Sequence, residues 1–166
     1  MALTQILNPH QKAPNDKVLY FAYGSNMDRE RLEKERGITI LGEEIGILKG
    51  YKLVFNKLAG REGEGYANIE DSPSDFVIGV IYTIKEKDIE KLDRYEGVPN
   101  HYLRKEILVE DKNKVKKKCF IYIANPDKVR AGLKPSKLYL TYLIEGARQH
   151  YFPVEYIKKL EIWETI

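Results

Sequence analysis

Residues 20–27 read Tyr20-Phe21-Ala22-Tyr23-Gly24-Ser25-Asn26-Met27, and they take the chain from an apolar run into a loop of small residues. The apolar and aromatic residues 18–23 predict a buried strand. Glycine adopts backbone angles that other residues avoid, and serine and asparagine are favoured N-caps, so a helix is predicted over residues 27–36, ending at Gly37. The first amides of such a helix are suited to hold a carboxylate or a developing oxyanion. On spacing alone, a capped turn that binds nothing remains the simpler explanation.

The composition fits one small domain. The 166 residues suffice for a single core, so we expect one domain over residues 17–166 after a flexible tail at residues 1–16. The 28 basic and 25 acidic residues give a net charge of +3, which attracts nucleic acid or a membrane only weakly. No apolar stretch approaches the roughly 20 residues that span a bilayer, and residues 1–17 lack the pattern of a signal peptide, which together predict a cytoplasmic protein.

Strand patterns outnumber helix patterns in the first two-thirds of the chain. Candidate strands cover residues 38–48, 51–56, 67–69, 76–83, 102–109 and 115–124. Helices are predicted over residues 85–95, from the N-cap candidate Ser136, and from Pro153 as a first helical residue. The glycine-rich residues 59–65 predict a loop. Strands and helices do not alternate regularly, which favours an α+β fold with a mixed sheet curled into a barrel and helices outside it.

Glu96 stands at the end of the predicted helix over residues 85–95, directly before Gly97. A helix C-terminus presents partial negative charge, so a glutamate is slightly disfavoured there. Asp93 adds a like charge that is expected to raise the pKa of the more buried acid, whereas Arg94 can offset it. A solvated glutamate is common at helix ends, so these residues alone do not establish catalysis.

Three blocks of sequence resemble the gamma-glutamyl cyclotransferase family, which includes AIG2-like proteins. Residues 20–27 are similar to its N-terminal signature. Residues 135–139, 146–147 and 153–156 are similar to its C-terminal helices. The block that resembles the family's catalytic segment reads Leu92-Asp93-Arg94-Tyr95-Glu96-Gly97-Val98. The blocks span residues 18–160, and the resemblance implies a small, closed, mainly antiparallel β-barrel with flanking helices.

The resemblance also implies a reaction and a set of site residues. In a gamma-glutamyl compound the free α-amine attacks its own γ-carbonyl, which closes a five-membered ring and releases 5-oxoproline and an amine or amino acid. The family's one catalytic glutamate corresponds to Glu96, as general base and then general acid. The expected substrate-binding residues are the backbone of Gly24, Ser25 and Asn26 and the pocket tyrosines Tyr23, Tyr102 and Tyr139.

Cysteine and histidine usage predicts neither a metal nor a cofactor. Cys119 is alone and lies in a strand-like run, which excludes an internal disulfide and favours a packed thiol over a nucleophile. His10, His101 and His150 show no metal-ligand spacing on one element. His101 precedes Tyr102 and is therefore expected near the pocket. A serine hydrolase built on Ser25 is disfavoured, because the second glycine of a nucleophile elbow is missing.

Other functions remain open on the sequence. A gamma-glutamylamine cyclotransferase would differ only on the leaving-amine side of the pocket, and a homodimer stays open as an alternative to a monomer. A non-catalytic module that binds a gamma-glutamyl or pyroglutamyl ligand would gain nothing from a buried acid. Nucleic-acid binding is suggested by the five lysines within residues 112–118, but no aromatic residues are interleaved with them, so a lysine-guarded hairpin is the better interpretation.

Overall fold

The computed structural model describes residues 16–166 and shows a five-stranded closed barrel. The strands are β1 (Lys17–Ala22), β2 (Ile40–Leu58), β3 (Gly65–Lys85), β4 (Tyr102–Glu110) and β5 (Lys116–Ala124). Around the barrel they follow the order β1-β3-β2-β4-β5, and β1 then meets β5. Every pairing is antiparallel except the one between β1 and β5. The predicted α+β barrel is therefore confirmed, and residues 1–15 of the predicted tail lie outside the described residues.

The two central strands are longer than predicted. Strand β2 has 19 residues and β3 has 21, and each joins two segments that the sequence analysis kept apart. The register between them shifts at Ile40/Gly42, at Lys49/Tyr51 and at Val54/Lys57. Gly50, at the second shift, has a φ of +86°, which suits glycine at a bulge. The gap predicted between the strands at residues 38–48 and 51–56 is thus a bulge at Gly50 within one continuous strand.

The predicted helix over residues 27–36 is confirmed only in part, because residues 29–35 are helical but are separated from a tight turn that precedes them. The structure has one tight turn at Ser25–Met27 and one wide turn at Arg31–Glu35, in which the Arg36 amide donates to the Arg31 carbonyl at 3.1 Å. Tertiary contacts determine this path, since Leu32 is fully buried and the Tyr82 hydroxyl donates to the Met27 carbonyl at 2.9 Å. Local helix preference is a weak signal that such contacts override.

Three α-helices cover the barrel, namely α1 (Ile89–Glu96), α2 (Lys137–Gln149) and α3 (Val154–Glu161). The predicted N-cap is confirmed, because the Tyr139 amide donates to Ser136 Oγ at 3.0 Å. Pro153 is the residue that caps α3 and not its first helical residue. None of the helices in residues 16–166 has the length and hydropathy needed to cross a membrane.

Helix α2 packs directly on the turn that follows β1. A Cβ atom at Gly146 would lie 2.5 Å from the backbone carbon of Met27 and 2.6 Å from its Cβ. Met27 is fully buried at this contact. Glycine at position 146 therefore allows the helix to approach closely enough to hold the turn of residues 24–28 against the barrel.

We predict that Gly146→Ala lowers the free energy of unfolding by about 1–3 kcal/mol, because its new methyl group overlaps the Met27 backbone. Urea unfolding followed by circular dichroism measures the change. Gly60→Ala is the matched control, since a Cβ at Gly60 meets no atom within 4 Å. Equal stability of the Gly146→Ala and Gly60→Ala proteins would contradict the close-packing argument.

Candidate active site

The turn after β1 opens onto the upper rim of the barrel at Gly24. The φ of Gly24 is −113°, outside the left-handed region, so conformation is not what selects glycine here. Space selects it, because a Cβ at this position would lie 3.2 Å from Ala67 Cβ and 3.4 Å from the Tyr139 hydroxyl. The sequence analysis predicts that Gly24 adopts an unusual backbone angle. The structure shows instead that a small residue is needed where the turn approaches Ala67 and Tyr139.

The turn presents amides, although it does not begin a regular helix. The Met27 amide donates a hydrogen bond to the Gly24 carbonyl at 3.1 Å. Within residues 16–166, the amides of Ser25 and Asn26 donate to no protein acceptor. A three-residue turn lacks the aligned dipoles of a longer helix, so its attraction for an anion comes from these individual amides.

All seven residues predicted from the sequence meet around one small cavity, here called the inner cavity, of about 40 Å³. They come from the turn after β1, the end of α1, the start of β4 and the first turn of α2. A larger cavity of about 660 Å³ opens elsewhere, between β1, β4 and β5, and contains none of the seven. The inner cavity is lined by Tyr20, Phe21, Tyr23, Gly24, Ser25, Asn26, Ala67, Glu96, Tyr102, Tyr122 and Tyr139.

Glu96 is the last residue of α1, and Gly97 turns the chain away after it. Gly97 has a φ of +63°, and a Cβ there would lie 2.8 Å from the His101 ring. Both facts require glycine. Glu96 Oε1 accepts a hydrogen bond from Asn26 Nδ2 at 3.2 Å, which ties the end of α1 to the turn after β1. The carboxyl group is thereby held at the boundary of the inner cavity.

Burial raises the pKa of Glu96 to about 7, from an ordinary value of 4.5. The positive charges of Arg36, Arg31 and Lys57 and the hydrogen bond from Asn26 oppose this rise without cancelling it. The expected effect of Asp93 is not among the main causes. Its carboxylate instead accepts from the Tyr122 hydroxyl at 2.8 Å. A carboxyl group with a pKa near 7 can both accept and return a proton at neutral pH.

The three predicted tyrosines form the walls, and their hydroxyls are held by backbone groups. The Tyr23 hydroxyl donates to the Tyr122 carbonyl at 2.5 Å. The Tyr102 hydroxyl donates to the Ala67 carbonyl at 2.8 Å, and the Tyr139 hydroxyl accepts from the Ala67 amide at 3.1 Å. Ala67 lies where the register of β2 and β3 shifts between Val54 and Lys57. The bulge thus leaves the backbone amide and carbonyl of Ala67 free of strand pairing, and two tyrosine hydroxyls form hydrogen bonds with them. Burial raises the pKa of all three, so their hydroxyls stay protonated.

Asn26 is buried among these groups. Its Nδ2 donates to Glu96 and, at 3.0 Å, to the Tyr20 hydroxyl. Its Oδ1 has no hydrogen-bond partner in the described part of the chain, although it is shielded from solvent. Burial of an amide oxygen without a hydrogen-bond donor lowers the stability of the fold. This oxygen can accept a hydrogen bond from an N–H group of a ligand. Tyr20, which the sequence analysis left as a core residue, thus also belongs to the cavity.

A second space, here called the outer cavity, adjoins the first and has a volume of about 290 Å³. It shares Ser25, Glu96, Tyr102 and Tyr139 with the inner cavity. The remaining lining residues are Arg31, Arg36, Lys57, Tyr66, Tyr95, Gly97 and His101. Three basic side chains therefore surround one partly protonated carboxyl group, so the outer cavity favours anions.

The sequence analysis missed the cations and Ala67, and it expected His101 near the pocket, where the structure places it. Lys57 did leave a signal, because it falls two residues after Phe55 on the inward face of β2. A lysine at an inward position of an alternating strand is unusual. Arg31 and Arg36 left no such signal, since their spacing is that of the exposed side of a charged helix.

The other predicted features lie away from these cavities. Cys119 is buried and its pKa is raised to about 12 by burial, in agreement with a packed thiol. His150 is also buried, with Nδ1 2.8 Å from the Gly146 carbonyl and Nε2 3.1 Å from Glu43. Lys117 pairs with Glu44 and Asp111 at the β4–β5 hairpin. Residues 16–166 contain no cluster of three metal-ligating side chains, and His10 lies outside the described residues.

Comparison with known proteins gives the family. A model of the AIG2-like family matches residues 76–160, which include Glu96, Tyr102 and Tyr139. The chain is 32% identical over 151 residues to the gamma-glutamylcyclotransferase of Bos taurus, across 87% of this chain and 78% of that protein. The chain belongs to the gamma-glutamylcyclotransferase family. The family member of the same name from Homo sapiens is 30% identical over 154 residues, covering 90% of this chain and 80% of the relative.

Solved structures agree with the family assignment. A structure titled gamma-glutamyl cyclotransferase superposes with a TM-score of 0.81 at 28% identity, covering 91% of this chain and 90% of that one. A yeast gamma-glutamyl cyclotransferase described as specific to glutathione has a TM-score of 0.65 at 16% identity, over 88% of this chain and 94% of its own. The second likeness concerns the fold alone.

We predict that Glu96→Gln stabilises the protein by about 1–3 kcal/mol at pH 8 and by almost nothing at pH 4.5. Because the folded-state pKa of about 7 exceeds the ordinary 4.5, the folded protein binds this proton more tightly. The stability due to Glu96 is therefore present below pH 4.5 and falls as the pH rises to about 7. Urea unfolding at both pH values tests this, and an equal effect at the two would contradict the raised pKa.

Proposed function

We propose that this protein is a gamma-glutamyl cyclotransferase in which Glu96 moves the proton, releasing 5-oxoproline from a gamma-glutamyl amide. The observation that carries the proposal is one carboxyl group with a pKa of about 7, held at a cavity that Ser25 and Asn26 also line, with backbone amides that donate to no acceptor among the described residues. The family assignment supports the same activity, since the curated relatives are named for it.

The reaction starts with the substrate's α-ammonium group beside Glu96. The Glu96 carboxylate takes one proton from it, and the neutral amine then attacks the γ-carbonyl carbon to form a five-membered ring. Asn26 Oδ1, which lacks a partner among the described residues, accepts a hydrogen bond from the same nitrogen and holds it in place. Both reacting groups belong to one molecule, so the main task of the cavity is to hold the folded-back conformer.

The attack places negative charge on the former carbonyl oxygen, and the amides of Ser25 and Asn26 stabilise either this oxygen or the α-carboxylate. The C–N bond to the leaving group then breaks, and the protonated Glu96 returns its proton to the departing nitrogen. The walls of Tyr23, Tyr102 and Tyr139 exclude water, which favours ring closure over hydrolysis. The ring nitrogen then loses its second proton to the Glu96 carboxylate, which passes it to the released amine as an ammonium ion, so that the ammonium's two lost protons and the broken C–N bond balance.

Two classes of leaving group fit the chemistry of ring closure, an amino acid and an amine. The positive outer cavity favours the first, because Arg31, Arg36 and Lys57 lie on the side where the leaving group extends. A positively charged or neutral amine would leave these cations without a counter-charge. We therefore place gamma-glutamyl amino acids or peptides ahead of gamma-glutamylamines as substrates.

We expect the protein to release 5-oxoproline from at least one gamma-glutamyl amino acid, and Glu96→Gln to lower kcat by about 10²–10⁴-fold because it removes the general base and acid. Chromatographic detection of 5-oxoproline over a panel of gamma-glutamyl amino acids and amines measures both. Glu106→Gln is the control, as this exposed glutamate pairs with Lys118 on the barrel surface. Release by the Glu96→Gln protein at the rate of the control would refute the role of Glu96.

The pH dependence gives an independent test. Because only the carboxylate form of Glu96 accepts a proton, kcat/KM should rise about tenfold per pH unit at low pH and level off above the pKa of about 7. An acidic limb centred near pH 4.5 would mean that the carboxyl group is solvated during the reaction. Initial rates between pH 5 and 8.5 in buffers of constant ionic strength distinguish these outcomes.

A further inference from the structure

Lys57 is a buried cation without an anion. Its relative exposure is 4%, in a fold whose other described lysines are mostly at the surface. Nζ donates to the Leu58 carbonyl at 2.8 Å and to His101 Nδ1 at 2.9 Å. No carboxylate of residues 16–166 lies within ion-pair distance of it. Lysines are almost never fully buried unless they are paired, because removing the ammonium from water is costly.

Burial, and the charge of Lys128, lower the pKa of Lys57, while the charge of Glu96 and the neighbouring rings favour its charged form. Two aromatic rings flank Nζ, with ring centroids at 5.6 Å for Tyr66 and 5.4 Å for Tyr102, distances at which a cation is attracted to a ring face. Lysine can only donate, so His101 accepts through Nδ1 and is neutral. The charge of Lys57 lowers the pKa of His101, which maintains that state.

An ammonium group has three donors, and two of them are used by Leu58 and His101. The third is available to the outer cavity, which Lys57 lines together with Glu96. The other two cations there are differently placed. Arg31 pairs with Glu35 at 2.7 Å, and Arg36 is half-buried over the Tyr95 ring, with a shielded Nε that has no hydrogen-bond partner among the described residues. Lys57 therefore combines a small exposed fraction, a free donor and the lack of an ion pair among the described residues, with Glu96 as a more distant charge.

Resting on the cyclotransferase function proposed above, we infer that Lys57 is the specificity-determining residue for the leaving group and binds its carboxylate. In a gamma-glutamyl amino acid, one carbon separates that carboxylate from the nitrogen that Glu96 protonates. A leaving group without a carboxylate leaves the ammonium buried and unpaired. When a site contains a buried charge, a ligand without the opposite charge loses much binding free energy. This loss is larger than the gain that an extra apolar contact provides.

The test compares gamma-glutamyl-alanine with gamma-glutamyl-alaninamide, which have almost the same shape and differ by the charge. In the wild-type protein kcat/KM for the acid should exceed that for the amide at least about tenfold. Lys57→Met should lower kcat/KM for the acid about 10–100-fold, mainly through KM, and for the amide less than about threefold. Lys52→Met on the same strand, where Lys52 is exposed and pairs with Glu70, should change neither.

Three results would overturn the inference: equal use of both substrates by the wild-type protein, an equal loss on both in Lys57→Met, or no loss on either. The first needs no variant, so it decides even where Lys57→Met fails to fold. Dissociation constants for both ligands, measured in Glu96→Gln proteins with and without Lys57→Met, test the carboxylate contact without turnover. A wild-type protein that forms no 5-oxoproline would refute the proposed function, while those constants would still decide the role of Lys57.

Discussion

The closure of the barrel at β1 is the constraint on which the site depends. Tyr20 pairs in register with Phe120, and their rings stack with centroids 5.0 Å apart. This contact joins the first strand to the last, and it is continued by the hydrogen bond from the Tyr23 hydroxyl to the Tyr122 carbonyl. Because β1 is fixed on both edges, the turn that follows it can emerge at one place only, on the rim where α1 ends and β4 begins. Closure thus brings together segments that lie far apart in the sequence, such as Asn26 and Glu96, which are 70 residues apart and form a hydrogen bond.

The rim carries two charges that ordinary protein interiors avoid, a glutamate on the inner cavity and a lysine on the outer one. Each is held by few hydrogen bonds, and neither forms an ion pair with the other, although the charge of Lys57 lowers the pKa of Glu96. Burial has the larger effect on the Glu96 carboxyl group and keeps its pKa near neutrality. Keeping both groups unpaired costs stability, and it leaves them available for a substrate that carries an ammonium group at one end and a carboxylate at the other.

The residues expected from the family resemblance lie together in the structure, whereas the predicted backbone of this region needed correction. The seven predicted residues meet around one cavity, yet the helix expected over residues 27–36 is shortened to residues 29–35 and follows a separate turn at residues 25–27. Charged residues at helical spacing do not fix where a helix begins when tertiary contacts compete, and here the buried Leu32 and the bond from Tyr82 to Met27 do compete. The four predicted central strands proved to be two, because a bulge at Gly50 bends a strand where a local reading finds a break.

The sequence by itself determined the strand-rich α+β character, the cap of α2 at Ser136 and, through its family resemblance, seven of the eleven residues that line the inner cavity. These follow from local periodicity, capping chemistry and short motifs, each of which is written in consecutive residues. The tertiary structure decided the pKa of Glu96, the tyrosine contacts to Ala67 and the buried position of Lys57. Those properties depend on which distant side chains exclude water from a group, and removal of water is a consequence of packing that no short stretch of sequence encodes.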